Sequence, residues 1–168
     1  MNYQEFLLES NPKVKMSVQG YGDIVVELFP KVAPITVKNF LTLIEQGFYN
    51  GLTFHRIISG FMIQGGDPLG NGTGGSKDKI KGEFLKNGVD NPLMHTRGVI
   101  SMARSMFPDS ASSQFFIMHQ DAPHLDGSYA AFGVVTSGIE VVDQIAAVAT
   151  DYNDKPQTPV ILKKVELI

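Results

Sequence analysis

The sequence predicts a mainly β domain in which about eight short strands close into a barrel with two helices over its ends. Three observations carry this. Glycine-punctuated β-rich runs recur along most of the chain, only two segments show a helical apolar period, and two helices cannot cover both faces of so large a sheet. An open sheet would leave two edges unpaired, so closure is the economical arrangement and a barrel is preferred to a sandwich.

The elements follow in chain order. Residues 14–29, VKMSVQGYGDIVVELF, place two β-rich runs on either side of the turn signal Gly20-Tyr21-Gly22-Asp23 and predict a hairpin. From Pro34 the period changes: Val37, Phe40, Leu41 and Ile44 share one helical face, with Gly47 just beyond, which predicts a helix of about three turns. Strands are expected at 53–58, 61–64, 99–103, 114–119, 131–135 and 160–168. The second helix is expected after Ser137-Gly138-Ile139-Glu140, read as an S-x-x-E capping box, with Val141, Val142, Ile145 and Val148 on its apolar face. Residues 67–91, rich in glycine with scattered charges, read as a long surface excursion of the kind that often carries function. Residues 1–10 read as a loosely attached extension, with the domain proper at 11–168.

Composition narrows the function. At 168 residues and 43% hydrophobic content the chain fits one compact domain. Its 14 basic and 17 acidic residues leave a charge of -3, and no basic run exceeds the pair Lys163-Lys164, so no nucleic-acid or anionic-membrane partner is expected. Cysteine is absent, which excludes thiolate chemistry and disulfides and fits a cytoplasmic setting. No uncharged run approaches the roughly 20 residues a membrane helix needs, and the N-terminus lacks the basic and apolar regions of a secretory signal.

Several motifs point nowhere. Gly70-Asn71-Gly72-Thr73-Gly74-Gly75-Ser76-Lys77 superficially suggests a phosphate cradle, but the order required of a P-loop is absent and Gly82 interrupts any following helix. His55, His95, His119 and His124 show no metal-binding spacing, so no metal or other cofactor is expected. No G-x-S-x-G marks a serine hydrolase, and Ser112 and Ser113 read as part of the turn leading into Gln114-Phe115-Phe116.

The informative stretch is Phe54-His55-Arg56-Ile57-Ile58-Ser59-Gly60-Phe61-Met62-Ile63-Gln64-Gly65-Gly66-Asp67. Two strands meeting at Ser59-Gly60 carry Arg56 and Gln64 in strongly apolar surroundings. A three-residue loop would set Arg56 opposite Gln64, on one face with Ile58 and Met62, whereas a two-residue loop would set Ile63 there. The bland reading is a surface arginine lying along the sheet. Against it stands the neighbourhood: Phe61, Met62 and Phe116 would floor a site beside a guanidinium fixed by an amide.

These residues, with Ser101-Met102-Ala103, Ser113-Gln114-Phe115-Phe116-Ile117, Leu125-Asp126-Gly127 and Phe132-Gly133, closely resemble the cyclophilins from about Asn11 to the C-terminus. The layout around Pro123-His124-Leu125-Asp126-Gly127 is most similar to bacterial-type members. The resemblance implies a closed eight-stranded antiparallel β-barrel capped by two α-helices, and peptidyl-prolyl cis-trans isomerase activity without a cofactor. It also implies roles. Arg56 matches the catalytic arginine and Gln64 the glutamine orienting it; Phe61, Met62, Phe116 and Leu125 match the proline pocket. Ala103, Arg104 and Gln114 match its border, where the Arg104 backbone would bind the residue before proline, and Gly72 with Thr73 matches the loop of a neighbouring pocket. Arg104 stands for a usual Asn at a position where the backbone does the binding, so activity should survive; His124, for a usual Trp, and Tyr129, for a usual His, change the rim, and His124 implies weakened binding of cyclosporin. The expected protein is a monomer that turns over proline-containing peptides and flexible or unfolded chains as a folding helper. The alternatives are a proline-peptide binding module or holdase and, more distantly, a nucleotide-binding protein.

Overall fold

The computed structural model describes residues 2–168. Eight strands and two helices follow one another as β1 (Lys13–Val18), β2 (Gly22–Leu28), α1 (Pro34–Glu45), β3 (Phe54–Ile58), β4 (Met62–Gly65), β5 (Val99–Met102), β6 (Phe115–Met118), β7 (Ala131–Ser137), α2 (Ile139–Ala146) and β8 (Leu162–Leu167). They form one sheet in the order β3-β4-β6-β5-β7-β2-β1-β8, every neighbouring pair antiparallel.

The sheet curls, but it is not the closed barrel expected. β3 and β8 end the order without a ladder between them, and the seam is held by a few contacts at and just before the first residue of each strand. Thr53 bridges Ile161, Gly51 N–H donates to Leu162 O at 2.7 Å, and Phe54 N–H donates to Val160 O at 3.0 Å. Farther along β3 the available backbone group belongs to a loop instead: Ile57 N–H donates to Asp154 O at 2.8 Å. That loop occupies the edge a continuous ladder would need.

Alternation within β6 divides the interior. Phe115 points under α1, where its ring lies 5.7 Å from Phe40, 5.5 Å from Tyr49 and 6.0 Å from Phe54, largely edge to face. Such pairs add about 0.5–1.5 kcal/mol each beyond the area they bury. Phe116 points the other way, toward the candidate site. All four residues of β6 are buried because both of its faces are covered.

The first helix starts at Pro34 and ends before Gly47 as its period requires. The second starts differently from the capping box. Ser137 is the last residue of β7, and Gly138 is the N-cap at φ 88°, with no side-chain cap bond. A Cβ there would collide with Asp23 O, so close approach to β2 and a left-handed backbone select glycine. Residues 3–6 form one 3-10 turn whose Phe6 ring packs 5.9 Å from Phe29. Leu8 N–H and Asn11 Nδ2 donate to the buried Glu27 carboxylate at 3.1 and 3.0 Å, which ties the extension to β2.

Candidate active site

The β3–β4 turn has three residues, Ser59 to Phe61, with Ile58 paired to Met62 and Arg56 to Gln64. Arg56 is exposed and Met62 buried, so this hairpin brings a charged head to the rim of an apolar floor. Among the described residues Arg56 donates one side-chain hydrogen bond, from Nη1 to Gln64 Oε1 at 3.2 Å. The guanidinium can only donate, so Gln64 must turn its oxygen toward it and its Nε2 away. That Nε2 donates to Gln114 Oε1 at 2.9 Å, and Gln114 Nε2 donates to Gly72 O at 3.1 Å and Gly74 O at 2.8 Å. Every bond points the same way, from the cation to loop carbonyls that can only accept.

Beside Arg56 lies a hollow of about 150 Å³ lined by Arg56, Phe61, Met62, Gln64, Ala103, Arg104, Phe116, Leu125 and Tyr129. Phe116 forms its base, with the Tyr129 ring 5.9 Å away at 83°. Larger hollows exist among the described residues, two of them flanking this hairpin. One, of about 340 Å³, is a polar cleft bordered by Gly72, Thr73 and Gln114 that shares Gln64, Ala103 and Arg104 with the small one; the other, of about 290 Å³, lies over His55 and Lys155. Size does not select the site. Convergence of an oriented donor on apolar walls does.

Of the expected residues, Arg56, Gln64, Phe61, Met62, Ala103, Arg104, Phe116, Leu125 and Tyr129 line the hollow, Gly72 and Gln114 line the adjoining polar cleft, and His124 lines neither. Its ring is exposed, tilted against Phe61 at 5.8 Å, and does not line the hollow. Arg104 turns its side chain away from the hollow's centre: the guanidinium sits 4.8 Å over Phe84 and 4.7 Å over Tyr129 and donates to Ser128 O and Ser105 O. The departure from Asn at this position is therefore absorbed into packing of the rim.

The leading amides of the glycine-rich loop turn inward onto a resident carboxylate. Asp67, buried at 1% exposure, accepts from Leu69 N–H at 2.8 Å, Asn71 N–H at 3.1 Å and Gly72 N–H at 2.6 Å. Burial pushes its carboxyl up, but these donors together with Gly74 outweigh burial and hold it below the usual carboxylate range. Asp67 thus fixes the two carbonyls on which the Gln114 amide rests.

Beneath the floor is an arrangement that sequence reasoning missed. His95 Nδ1 lies 2.9 Å from Asp126 Oδ1 and Nε2 2.9 Å from Ser101 Oγ, while the ring stacks 6.0 Å from Phe116. Serine, histidine and aspartate stand in the order of a hydrolase triad, yet Ser101 has 0% exposure and no substrate can reach it. Burial pulls the His95 pKa down against the opposing pull of Asp126, so the contact is a hydrogen bond of a neutral ring rather than an ion pair. Nδ1–H donates to Asp126 and Nε2 accepts from Ser101. No spacing rule joins positions 95, 101 and 126; only the pairing of β5 with β6 and β7 does. His55, also buried, has its pKa lowered chiefly by burial, and its ring nitrogens find no hydrogen-bond partner among the described residues. No group of three or more His, Cys, Asp or Glu among the described residues is placed to hold a metal ion. No described helix is long and apolar enough to cross a membrane.

The site thus sets an oriented cationic donor beside a small hollow walled by Phe61, Met62, Phe116, Leu125 and Tyr129, while Ser101 is sealed from solvent. Residues 13–167 match the family described as cyclophilin type peptidyl-prolyl cis-trans isomerase/CLD, and the chain belongs to that family. It is a peptidyl-prolyl cis-trans isomerase. A peptidyl-prolyl cis-trans isomerase of Helicobacter pylori is 52% identical over 126 residues, covering 74% of each chain. One of Schizosaccharomyces pombe is 43% identical over 148 residues, covering 87% of this chain and 94% of its own. A crystal structure of a Cryptosporidium parvum cyclophilin superposes with a TM-score of 0.86 at 34% identity, covering 94% of this chain and 98% of that one.

Both buried histidines are more easily protonated in the unfolded chain than in the fold, which sets the sign of the pH dependence. Their stabilisation is complete above the unfolded value of about 6.5 and declines as pH falls toward their lower folded values, by at most about 1.4 kcal/mol per pH unit for each. Urea midpoints should therefore fall between pH 7.5 and 5, with a shallower fall in His95→Gln. A flat wild-type profile over that range would contradict the neutral, buried assignment.

Proposed function

We propose that the Arg56 hollow is the site at which the chain turns X-Pro bonds, with Arg56 and Gln64 as its catalytic pair. The observation that carries this is the single polar chain from Arg56 through Gln64 and Gln114 to the loop carbonyls, set beside the apolar hollow. In this reading Phe61, Met62, Phe116 and Leu125 hold the proline ring, and Tyr129 closes one side. Ala103, Gln114 and the Arg104 backbone border the residue before proline, and Gly72 faces residues farther toward the N-terminus. His124 stands outside, on the exposed rim.

Rotation about an X-Pro bond meets a barrier of about 18–20 kcal/mol because resonance gives the C–N bond double-bond character. As the amide twists, its nitrogen becomes pyramidal and regains a lone pair. A donor already aimed at that nitrogen stabilises the twisted state more than the planar one and needs no reorganisation to do so. Arg56 suits the task because it is always charged and carries N–H groups beyond the one taken by Gln64. No proton need transfer and no bond need break.

The substrates proposed are proline-containing peptides and flexible or unfolded chains. Support comes from a second Cryptosporidium parvum cyclophilin structure, solved in the presence of the dipeptide Ala-Pro and 35% identical to this chain with a TM-score of 0.83. The cysteine-free composition supports a cytoplasmic setting.

In a proline-peptide isomerisation assay Arg56→Ala should lower kcat/KM about ten- to a thousandfold, on the order of 1.4–4 kcal/mol of transition-state stabilisation, with the thermal midpoint little changed. Near wild-type turnover would remove Arg56 from the mechanism. Cyclosporin, a large apolar macrocycle, should bind weakly because the imidazole of His124 covers less of it than an indole. His124→Trp should then raise cyclosporin affinity with little change in peptide turnover, and an unchanged affinity would refute this account of the rim.

A further inference from the structure

The turn that carries Phe61 is held from behind by a side chain that touches no part of the hollow. Gly60, at φ 80° in the middle of that turn, donates its N–H to His119 Nδ1 at 2.8 Å. On the next residue, Phe61 O accepts from the His119 N–H at 2.9 Å and the Gln120 N–H at 3.4 Å. Residue 119, immediately after β6, therefore grips the β3–β4 turn twice, once through its backbone and once through its ring.

The ring is itself oriented. A backbone N–H can only donate, so Nδ1 must present its lone pair to Gly60, and the ring proton must sit on Nε2. Nε2 lies 3.1 Å from Asp143 Oδ1 on α2. Asp143 is gripped in turn by both Nη atoms of Arg97, each at 2.7 Å, and this pairing holds its carboxyl below the usual range. Arg97 Nη1 also donates to His119 O at 2.9 Å, and Arg97 N–H donates to Asp121 Oδ1 at 2.8 Å. The helix, the strand end and the turn thus form one connected frame whose last member is the backbone next to Phe61.

We propose that His119 is a positioning residue for the proline pocket: its Nδ1 lone pair fixes the Ser59–Phe61 turn and hence the Phe61 wall, and Asp143 sets the tautomer that makes that lone pair available. The inference rests on the reading of the Arg56 hollow as the substrate site. It assigns His119 to seating of the substrate rather than to rotation, because Arg56 and Gln64 are fixed by the ladder and by Gln114, independently of the turn.

Two isosteric replacements separate this role from general support of the fold. His119→Asn keeps an acceptor near the position of Nδ1 and loses the contact with Asp143. His119→Gln keeps a donor near Nε2 and loses the acceptor for Gly60. In the peptide isomerisation assay His119→Gln should raise KM about three- to tenfold with kcat within about twofold of wild type, as expected when a pocket wall must be ordered on binding, whereas His119→Asn should stay close to wild type in both. Amide exchange at Gly60 should quicken in His119→Gln and not in His119→Asn, a readout that does not depend on turnover. Equal KM for both variants and wild type, or equal damage in both, would overturn the proposal. If the wild type itself failed to turn over proline peptides, the reading of the site would fall, while Gly60 exchange and titration with a proline peptide would still decide what His119 holds.

Discussion

The site depends on one directional constraint: a guanidinium can donate hydrogen bonds and cannot accept them. From Arg56 this forces the Gln64 amide into one orientation, Gln64 forces Gln114, and Gln114 must end on acceptors, which the carbonyls of Gly72 and Gly74 provide. Reversing any amide would set two donors or two acceptors face to face. The cation at the rim is thereby held in place by backbone on the far side of a neighbouring cleft.

The loop behind that chain is ordered by a buried charge. Asp67 gathers the amides that a glycine-rich loop would otherwise present to an external anion, and a Cβ at Gly74 would collide with its carboxylate. The same glycines that suggest phosphate binding in the sequence serve here to bring backbone close to a resident carboxylate. Beneath the floor, the neutral His95 plays a comparable part. It joins Asp126, in the segment after Leu125, to Ser101 on β5 while stacking on Phe116, so both sides of the hollow share one buried support.

How much of this was legible in the sequence follows from how local each determinant is. The first helix and the strand count rest on short-range period, and each was readable. Turn length itself left two registers open, which the Ile58 to Met62 pairing resolves. The capping box misled because Ser137 finishes a strand and Gly138, needed for close approach to Asp23, takes the cap position. Full closure was expected from the wish to pair every edge, yet a loop residue, Asp154, supplies an acceptor to β3 and leaves the sheet open. His95, Ser101 and Asp126, like His119, Asp143 and Arg97, meet only through tertiary contacts, and nothing in their spacing announces them.

The central claim is that an oriented N–H donor, and not simply a positive charge, makes the hollow catalytic. Exchange spectroscopy on a short Ala-Pro peptide with Arg56→Lys tests it most directly, since lysine keeps the charge but loses the planar fork that Gln64 orients. The account predicts that this variant retains less than about a tenth of the wild-type catalysed exchange rate while still binding the peptide. An Arg56→Lys enzyme that exchanges the peptide at close to the wild-type rate would show that charge alone suffices and would contradict the account.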